Sequence, residues 1–104
     1  MKKRPFKQAH SADVFFEKLL KDPEVRILYD KKRIQSKLSR AIRQVRSSAH
    51  LTQVQLAKKA DTTQGVIARI ESGSDSRTTS LSLLARIAGA CGTSLEFKFK
   101  LKKA

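Results

Sequence analysis

The sequence predicts an all-α fold closed by one terminal strand. Three observations carry that expectation. Breakers are scarce, with four Gly and two Pro in 104 residues, and helix formers are plentiful. Apolar residues recur at three- and four-residue steps from Ile34 to Ala88, the period of helices with one buried side. After Ser94 the period changes to two, as in a strand with one buried face.

The elements follow in order. Residues 1–10 are basic and without pattern, and read as a mobile arm. Ser11 can cap a short helix with Val14, Phe15, Leu19 and Leu20 on its apolar side. Asp22-Pro23 restarts the chain, since Asp suits the cap and Pro the first helical position. Residues 23–30 follow as a turn or two of helix, with Val25, Leu28 and Tyr29 pointing one way. Asp30-Lys31-Lys32-Arg33 is either a polar break or an exposed continuation. From Ile34 the period is clear: Ile34, Leu38, Ala41, Ile42, Val45 and Ala49 form one face, and Lys37, Arg40, Arg43 and Gln44 the other. That helix ends near Ser48, with His50 in the connection.

The next two helices are predicted by their caps. Thr52 and Gln55 have the spacing of a capping box, flanked by Leu51 and Leu56 at the positions of a hydrophobic staple. The helix ends at Ala60, because Asp61-Thr62-Thr63 is turn and cap chemistry. Thr63 caps a further helix whose buried side is Val66, Ile67 and Ile70. Gly73 ends it as a left-handed residue. Gln64 and Arg69 fall where the core does not need them. After a polar loop, Ser80 opens a helix with Leu81, Leu84, Ile87 and Ala88 turned inward, and Gly92 stops it.

In the last segment Leu95, Phe97, Phe99 and Leu101 alternate with Glu96, Lys98, Lys100 and Lys102. No second strand is evident, and a lone strand leaves its backbone groups unpaired. The simplest partner is the same strand of a second copy, antiparallel across a two-fold axis. The chain therefore divides into an arm and helical extension (1–30), a helical domain (31–93) and a dimerisation strand with a basic tail (94–104).

Charge narrows the function. The chain carries 23 basic and 9 acidic residues, for a net +14. A field of that sign favours polyanions, nucleic acid first. Catalysis is not expected: His10 and His50 lie far apart in predicted loops, no metal-spaced Cys/His set occurs, and no Gly-rich phosphate cradle is present. Asp13 and Glu17 share a helix face, but an exposed basic helix is a poor place to raise a carboxyl pKa. No cofactor is implied. Cys91 is the one cysteine, so no internal disulfide can form, and its apolar neighbours suggest a small buried residue. No stretch approaches the ~20 apolar residues of a membrane span, and MKKRPFKQAH lacks the apolar run of a secretory signal. A cytoplasmic protein without a membrane role is the default.

Residues 34–92 resemble the helix-turn-helix domain of the Cro/CI (XRE) family. The family pattern is visible as Arg46, Leu51-Thr52-Gln53, Leu56-Ala57, Thr63-Gln64, Ile67-Ala68-Arg69-Ile70-Glu71 and Gly73. The turn departs from it, with Asp61 where Gly is common and Thr62 where an apolar residue is common. The flanks DPEVRILYD and GTSLEFKFKL resemble those of HigA-type antitoxins of toxin–antitoxin pairs. The resemblance implies a five-helix Cro/CI-like domain with an N-terminal helical extension and a C-terminal strand that pairs across a dimer.

It also implies roles. The helix beginning at Gln64 would enter the major groove by its N-terminal end. Gln64 would read adenine through its amide, Ala68 would touch a thymine methyl, and Arg69 would take guanine or a phosphate. Gly65 would allow close approach. Thr52, Gln53, Thr63 and Arg77 would hold phosphates. Lys37, Arg40 and Arg43 would either add to that field or form a solvated face. Arg46 and Glu71 would form a structural ion pair. A homodimer would reach half-sites about 34 Å apart in an inverted repeat of double-stranded DNA.

Three functions are compatible with these residues. One is a repressor that is also an antitoxin, with residues 1–30 covering a small ribonuclease toxin through Phe6, Phe15, Phe16, Leu19, Leu20 and Tyr29; the same residues could instead complete the core or the dimer. The second is a stand-alone phage or host regulator. The third is an adaptor bridging transcription proteins.

Overall fold

The computed structural model describes residues 6–73, 77 and 79–101, with side chains from residue 12 onward. Five helices follow one another among them: α1 (Phe6–Lys21), α2 (Pro23–Ser48), α3 (Gln53–Lys59), α4 (Gln64–Ser72) and α5 (Leu81–Ala90). The chain divides into two compact units, Met1–Gln35 and Ser36–Ala104, with α2 running from the first into the second.

In the first unit, helix begins at Phe6 and not at Ser11. The expected arm over residues 1–10 is thus helical from Phe6, His10 is helical too, and residues 1–5 lie outside the described part. Asp22 makes the junction. Its Oδ1 accepts the Glu24 N–H at 3.0 Å, an Asx arrangement that satisfies a free donor at the start of α2. The open question at residues 30–33 resolves as a continuous helix. Asp30 lies 3.6 Å from Arg26 and 3.8 Å from Arg33, helix-compatible pairs one turn away on either side. Phe16 meets Tyr29 edge-on, ring centroids 5.4 Å apart. Phe15 and Ile27 stay 65% and 66% exposed, and Leu28 is exposed as well.

The second unit is built by caps and a small core. The Thr52 Oγ1 accepts the Gln55 N–H at 3.1 Å, and the Gln55 Oε1 accepts the Thr52 N–H at 2.9 Å. Both halves of the capping box are therefore present. Thr63 and Ser80 cap α4 and α5 through Val66 and Leu83. Gly73 ends α4 at φ +72°, and Gly92 follows α5 with the same φ. Ile42, Leu56, Ala57, Ala60, Ile67, Ile70, Leu83 and Ile87 form the core, with Leu56, Ile67 and Ile87 fully buried. Leu51 packs against the same cluster, so staple and core are continuous. Arg86 closes α3: its Nε donates to the Ala60 carbonyl at 2.8 Å, an oxygen the helix itself leaves unpaired. Cys91 is a half-buried free thiol, and burial pushes its pKa up against the pull of Arg46 and Lys59.

Three inward assignments are corrected. Ile34, Ala41 and Leu81 are exposed, whereas Ser39 and Leu83 are buried. The reason is rotational. In α5 the buried side runs through Leu83 and Ile87, one turn apart, and Leu81 in the first turn falls outside it. Ser39 is buried at 3% exposure because its hydroxyl donates to the Ser36 carbonyl at 3.0 Å and leaves no polar atom unpaired.

The expected strand is also corrected for the single chain. No strand occurs among the described residues, and 93–101 has no regular secondary structure. A ladder needs a second strand, and none is at hand. Phe97, Phe99 and Leu101 are 73%, 94% and 96% exposed. Lys102 lies outside the described residues.

Candidate nucleic-acid interface

Two helix starts and one turn build the candidate surface. The turn from Ala60 to Thr63 brings the end of α3 to the start of α4. Asp61 takes it at φ +57°, a left-handed conformation that Asp tolerates better than most side chains. The Thr62 N–H donates to the Ala57 carbonyl at 2.8 Å and locks the turn. Buried Ile67 and Ile70 then anchor α4, so its opposite side is left outward.

A chain of polar contacts ties the two starts together. Arg46 grips Glu71 with Nε on Oε2 at 2.6 Å and Nη2 on Oε1 at 2.9 Å. Its Nη1 also donates to the Leu51 carbonyl at 3.0 Å. The Gln53 Nε2 donates to the Glu71 Oε1 at 3.0 Å. The Gln53 Oε1 in turn accepts from the Gln64 Nε2 at 2.7 Å. Arg43 adds a donor to the Glu71 carbonyl oxygen. Burial opposes ionisation of Glu71, but hydrogen bonds from Arg46 and Gln53 and the charges of Arg46 and Arg43 outweigh it. The carboxyl is held below its ordinary value. The hydrogen bond to Glu71 raises the Arg46 guanidinium further.

The chemistry at the tip follows from this chain. Gln64, the first residue of α4, is exposed. With one N–H given to Gln53, its amide keeps one N–H and the carbonyl oxygen. One donor and one acceptor in a plane match N7 and the N6 amino group of adenine. Ala68, half-buried, lies one turn below Gln64 on nearly the same side. Arg69 is half-buried and sits about 140° around the helix from Gln64. Gly65 is exposed, and a Cβ there would find its nearest neighbour, the Thr63 Oγ1, at 3.9 Å.

The phosphate candidates fall into two sets. Thr52 and Thr63 are exposed at the two helix starts, each hydroxyl accepting one backbone N–H as a cap. A hydroxyl keeps its own proton to donate. Gln53 is half-buried between Glu71 and Gln64, and its amide is already committed to both. Arg77 is exposed in the loop after α4, whose residues 74–76 and 78 lie outside the described part. Sequence reasoning missed the bridging place of Gln53, the Arg43 donor and the Arg86 cap; their partners lie 11 to 28 residues away in the chain.

Leu95, Phe97, Phe99 and Leu101 lie apart from this surface, in the segment that follows α5. Among the described residues, no group of three or more His, Cys, Asp or Glu side chains is placed to hold a metal ion. No described helix is long and apolar enough to cross a membrane.

Comparison with curated proteins and with solved structures finds no match. A family model described as Helix-turn-helix matches residues 42–98, a span that takes in α3, the turn, α4, α5 and the end of α2. Over half of the chain lies in that match, and the protein belongs to the Cro/CI (XRE-type) helix-turn-helix family of DNA-binding transcription regulators.

Proposed function

We propose that the protein is a sequence-specific repressor that binds an inverted repeat in double-stranded DNA as a homodimer, and that it is the antitoxin of a toxin–antitoxin pair controlling its own operon. The observation that carries the DNA-reading part is the 2.7 Å bond between Gln53 and Gln64 at the exposed start of α4. It orients an amide that would otherwise sample several rotamers, so less entropy is lost when a base edge is engaged. Gln64 reads adenine, Ala68 packs against a thymine methyl, and Arg69 contacts guanine or the adjoining phosphate. Thr52, Gln53, Thr63 and Arg77 hold the backbone in register. The net charge of +14 supplies attraction of the matching sign.

The antitoxin part rests on the first unit. Phe15, Phe16, Ile27 and Leu28 of that unit are exposed. Large apolar side chains left in water in this number favour a protein partner. A small ribonuclease is the partner implied by the HigA-like flanks. A ribonuclease-like reading frame adjoining this one supports the antitoxin; without it, the stand-alone regulator remains.

The test of DNA reading is selection of bound duplexes from a random pool, with wild type and Gln64→Ala. Wild type should enrich an inverted repeat, and the variant should lose its preference at particular bases while keeping most of its salt-dependent binding. No enrichment by wild type would refute the proposal.

A further inference from the structure

Glu71 stands at the root of the contacts that end on the reading amide. It is buried, with 4% exposure, so its carboxylate must take its donors from the protein. Oε2 takes the Arg46 Nε, and Oε1 takes both the Arg46 Nη2 at 2.9 Å and the Gln53 Nε2 at 3.0 Å. An ionised carboxylate can only accept hydrogen bonds. An amide is two-sided: its oxygen accepts, its nitrogen donates, and a half-turn about the last bond exchanges them with little change of shape. Beside Glu71 that freedom is lost. Gln53 has to turn its nitrogen to the carboxylate, which sends its oxygen the other way. That oxygen meets the Gln64 side chain at 2.7 Å, and only the nitrogen of Gln64 can answer it. The first amide therefore sets the direction of the second, and Glu71 sets the direction of the first.

The direction has a chemical consequence. With one N–H committed to Gln53, Gln64 presents its oxygen and its other N–H. Turned over, it would commit its oxygen to Gln53 and present two N–H groups. In the major groove adenine offers an acceptor, N7, beside a donor, the N6 amino group, whereas guanine offers two acceptors, N7 and O6. The first orientation suits adenine and the second suits guanine. A glutamine free to turn would serve both.

We propose that Glu71, too buried to touch a base, is a specificity-determining positioning residue: acting through Gln53, it holds the Gln64 amide in the orientation that selects adenine over guanine. The role rests on the adenine reading by Gln64 proposed above and names the group that decides it. It is separate from the pinning of α4 by Arg46, which engages both carboxylate oxygens whichever way the Gln53 amide points. Glu71→Gln breaks the rule at its source. Its amide oxygen is held on the 2.6 Å bond from the Arg46 Nε, where a second donor would be least tolerable, so its nitrogen takes the place of Oε1. Gln53 then turns its oxygen to that nitrogen and its own nitrogen to Gln64, and Gln64 turns over in response.

The test uses the full chain and a duplex that wild type selects from a random pool. The base pair whose preference Gln64→Ala loses is made A·T or G·C, all else equal, and the ratio of the two dissociation constants is measured at one salt concentration. The ratio cancels any loss of stability or affinity that falls equally on both duplexes. Wild type should favour A·T by about tenfold or more. Glu71→Gln, its fold checked by circular dichroism, should bring the ratio to one or turn it toward G·C. Glu71→Gln combined with Gln53→Glu exchanges the two side chains and sets the acceptor-only group directly against Gln64. That double variant should bind both duplexes more weakly, with a negative charge beside the phosphates, yet regain the preference for A·T. Gln53→Leu cuts the link and leaves the Arg46–Glu71 pair whole; it should lower the ratio several-fold, and it keeps the test open where Glu71→Gln does not fold. A folded Glu71→Gln or Gln53→Leu with the wild-type ratio, a double variant that does not regain A·T, or a wild type that favours G·C at this position would each overturn the proposal. If Gln64→Ala loses preference at no position, the adenine reading fails and the role of Glu71 falls with it. If Gln64→Ala abolishes a preference that Glu71→Gln leaves intact, Gln64 reads DNA and Glu71 serves the fold alone.

Discussion

Arg46 and Glu71 are joined by two parallel hydrogen bonds, Nε to Oε2 at 2.6 Å and Nη2 to Oε1 at 2.9 Å, with the carboxylate side chain 4% exposed. The pair pins the end of α4 to α2 from residues 25 apart in the chain. Its removal from one side only should be costly. Arg46→Ala leaves a buried carboxylate without its main cation, a loss of roughly 3–5 kcal/mol. Urea unfolding should show that loss, and a double-mutant cycle with Glu71→Ala should show strong coupling. Additive single effects would mean the two side chains act independently.

The same pair sets an acid limit on stability. Glu71 ionises below its ordinary value of 4.5 in the folded protein. Between the two values the unfolded chain holds more protons at this group than the folded one, so stability rises with pH. The contribution is complete above about pH 4.5. It is lost as pH falls through the lower folded value. Urea midpoints measured from pH 6 downward should fall in wild type over that window. Glu71→Gln should start lower at pH 6 and lack that part of the slope; an unchanged slope would remove Glu71 as its source.

A third expectation concerns the end of α4. Gly73 holds φ +72°, and a Cβ there would lie 3.0 Å from the Ser39 Oγ and 3.6 Å from its Cβ. Gly73→Ala meets both a left-handed backbone and a crowded, buried serine. A loss of about 1–2 kcal/mol follows from the conformation alone, read as a drop of several degrees in Tm. Adding Ser39→Ala relieves the crowding but not the backbone, so the double variant should recover only in part. Full recovery would show that the backbone term is negligible.

What was legible in the sequence was what local hydrogen bonding decides. Thr52 with Gln55, Thr63, Ser80 and Gly73 each act within a few residues of themselves, and each marks a helix end in the structure. The start of α1 was not legible, because no capping side chain marks Phe6. Continuity of α2 turned on Asp30 having basic residues one turn to each side, a weak signal that a polar break would also show. The buried sides of α2 and α5 slipped at Ile34, Ala41 and Leu81, since amphipathic spacing defines a stripe without its width. At the tip, spacing alone located Gln64 on an unneeded face. The partners of Gln53, 11 and 18 residues away, required the fold itself. The facing of Arg46 and Glu71 came from family resemblance, and nothing in the spacing of those two residues requires it. The segment after α5 shows the limit most clearly: its alternation is plain, yet a ladder is a property of two strands.

Gly65 separates stability from binding. It lies in the first turn of α4, with ordinary helical backbone and a Cβ's nearest contact at a comfortable 3.9 Å. Nothing within the fold requires glycine there, and alanine in a helix is favoured by about 0.5–1 kcal/mol. Gly65→Ala should therefore raise Tm by a few degrees. If α4 enters the groove by this end, the added methyl lies between the helix and the bases or sugar wall beside Gln64. Binding to the selected duplex should weaken by about tenfold or more, with the salt slope unchanged because no phosphate contact is removed. Higher Tm with weaker binding would identify the glycine as kept for close approach. A variant that gains stability and binds as tightly as wild type would mean that this end of α4 does not come close to the DNA, and the assignment of Gln64 as a base reader would fall with it.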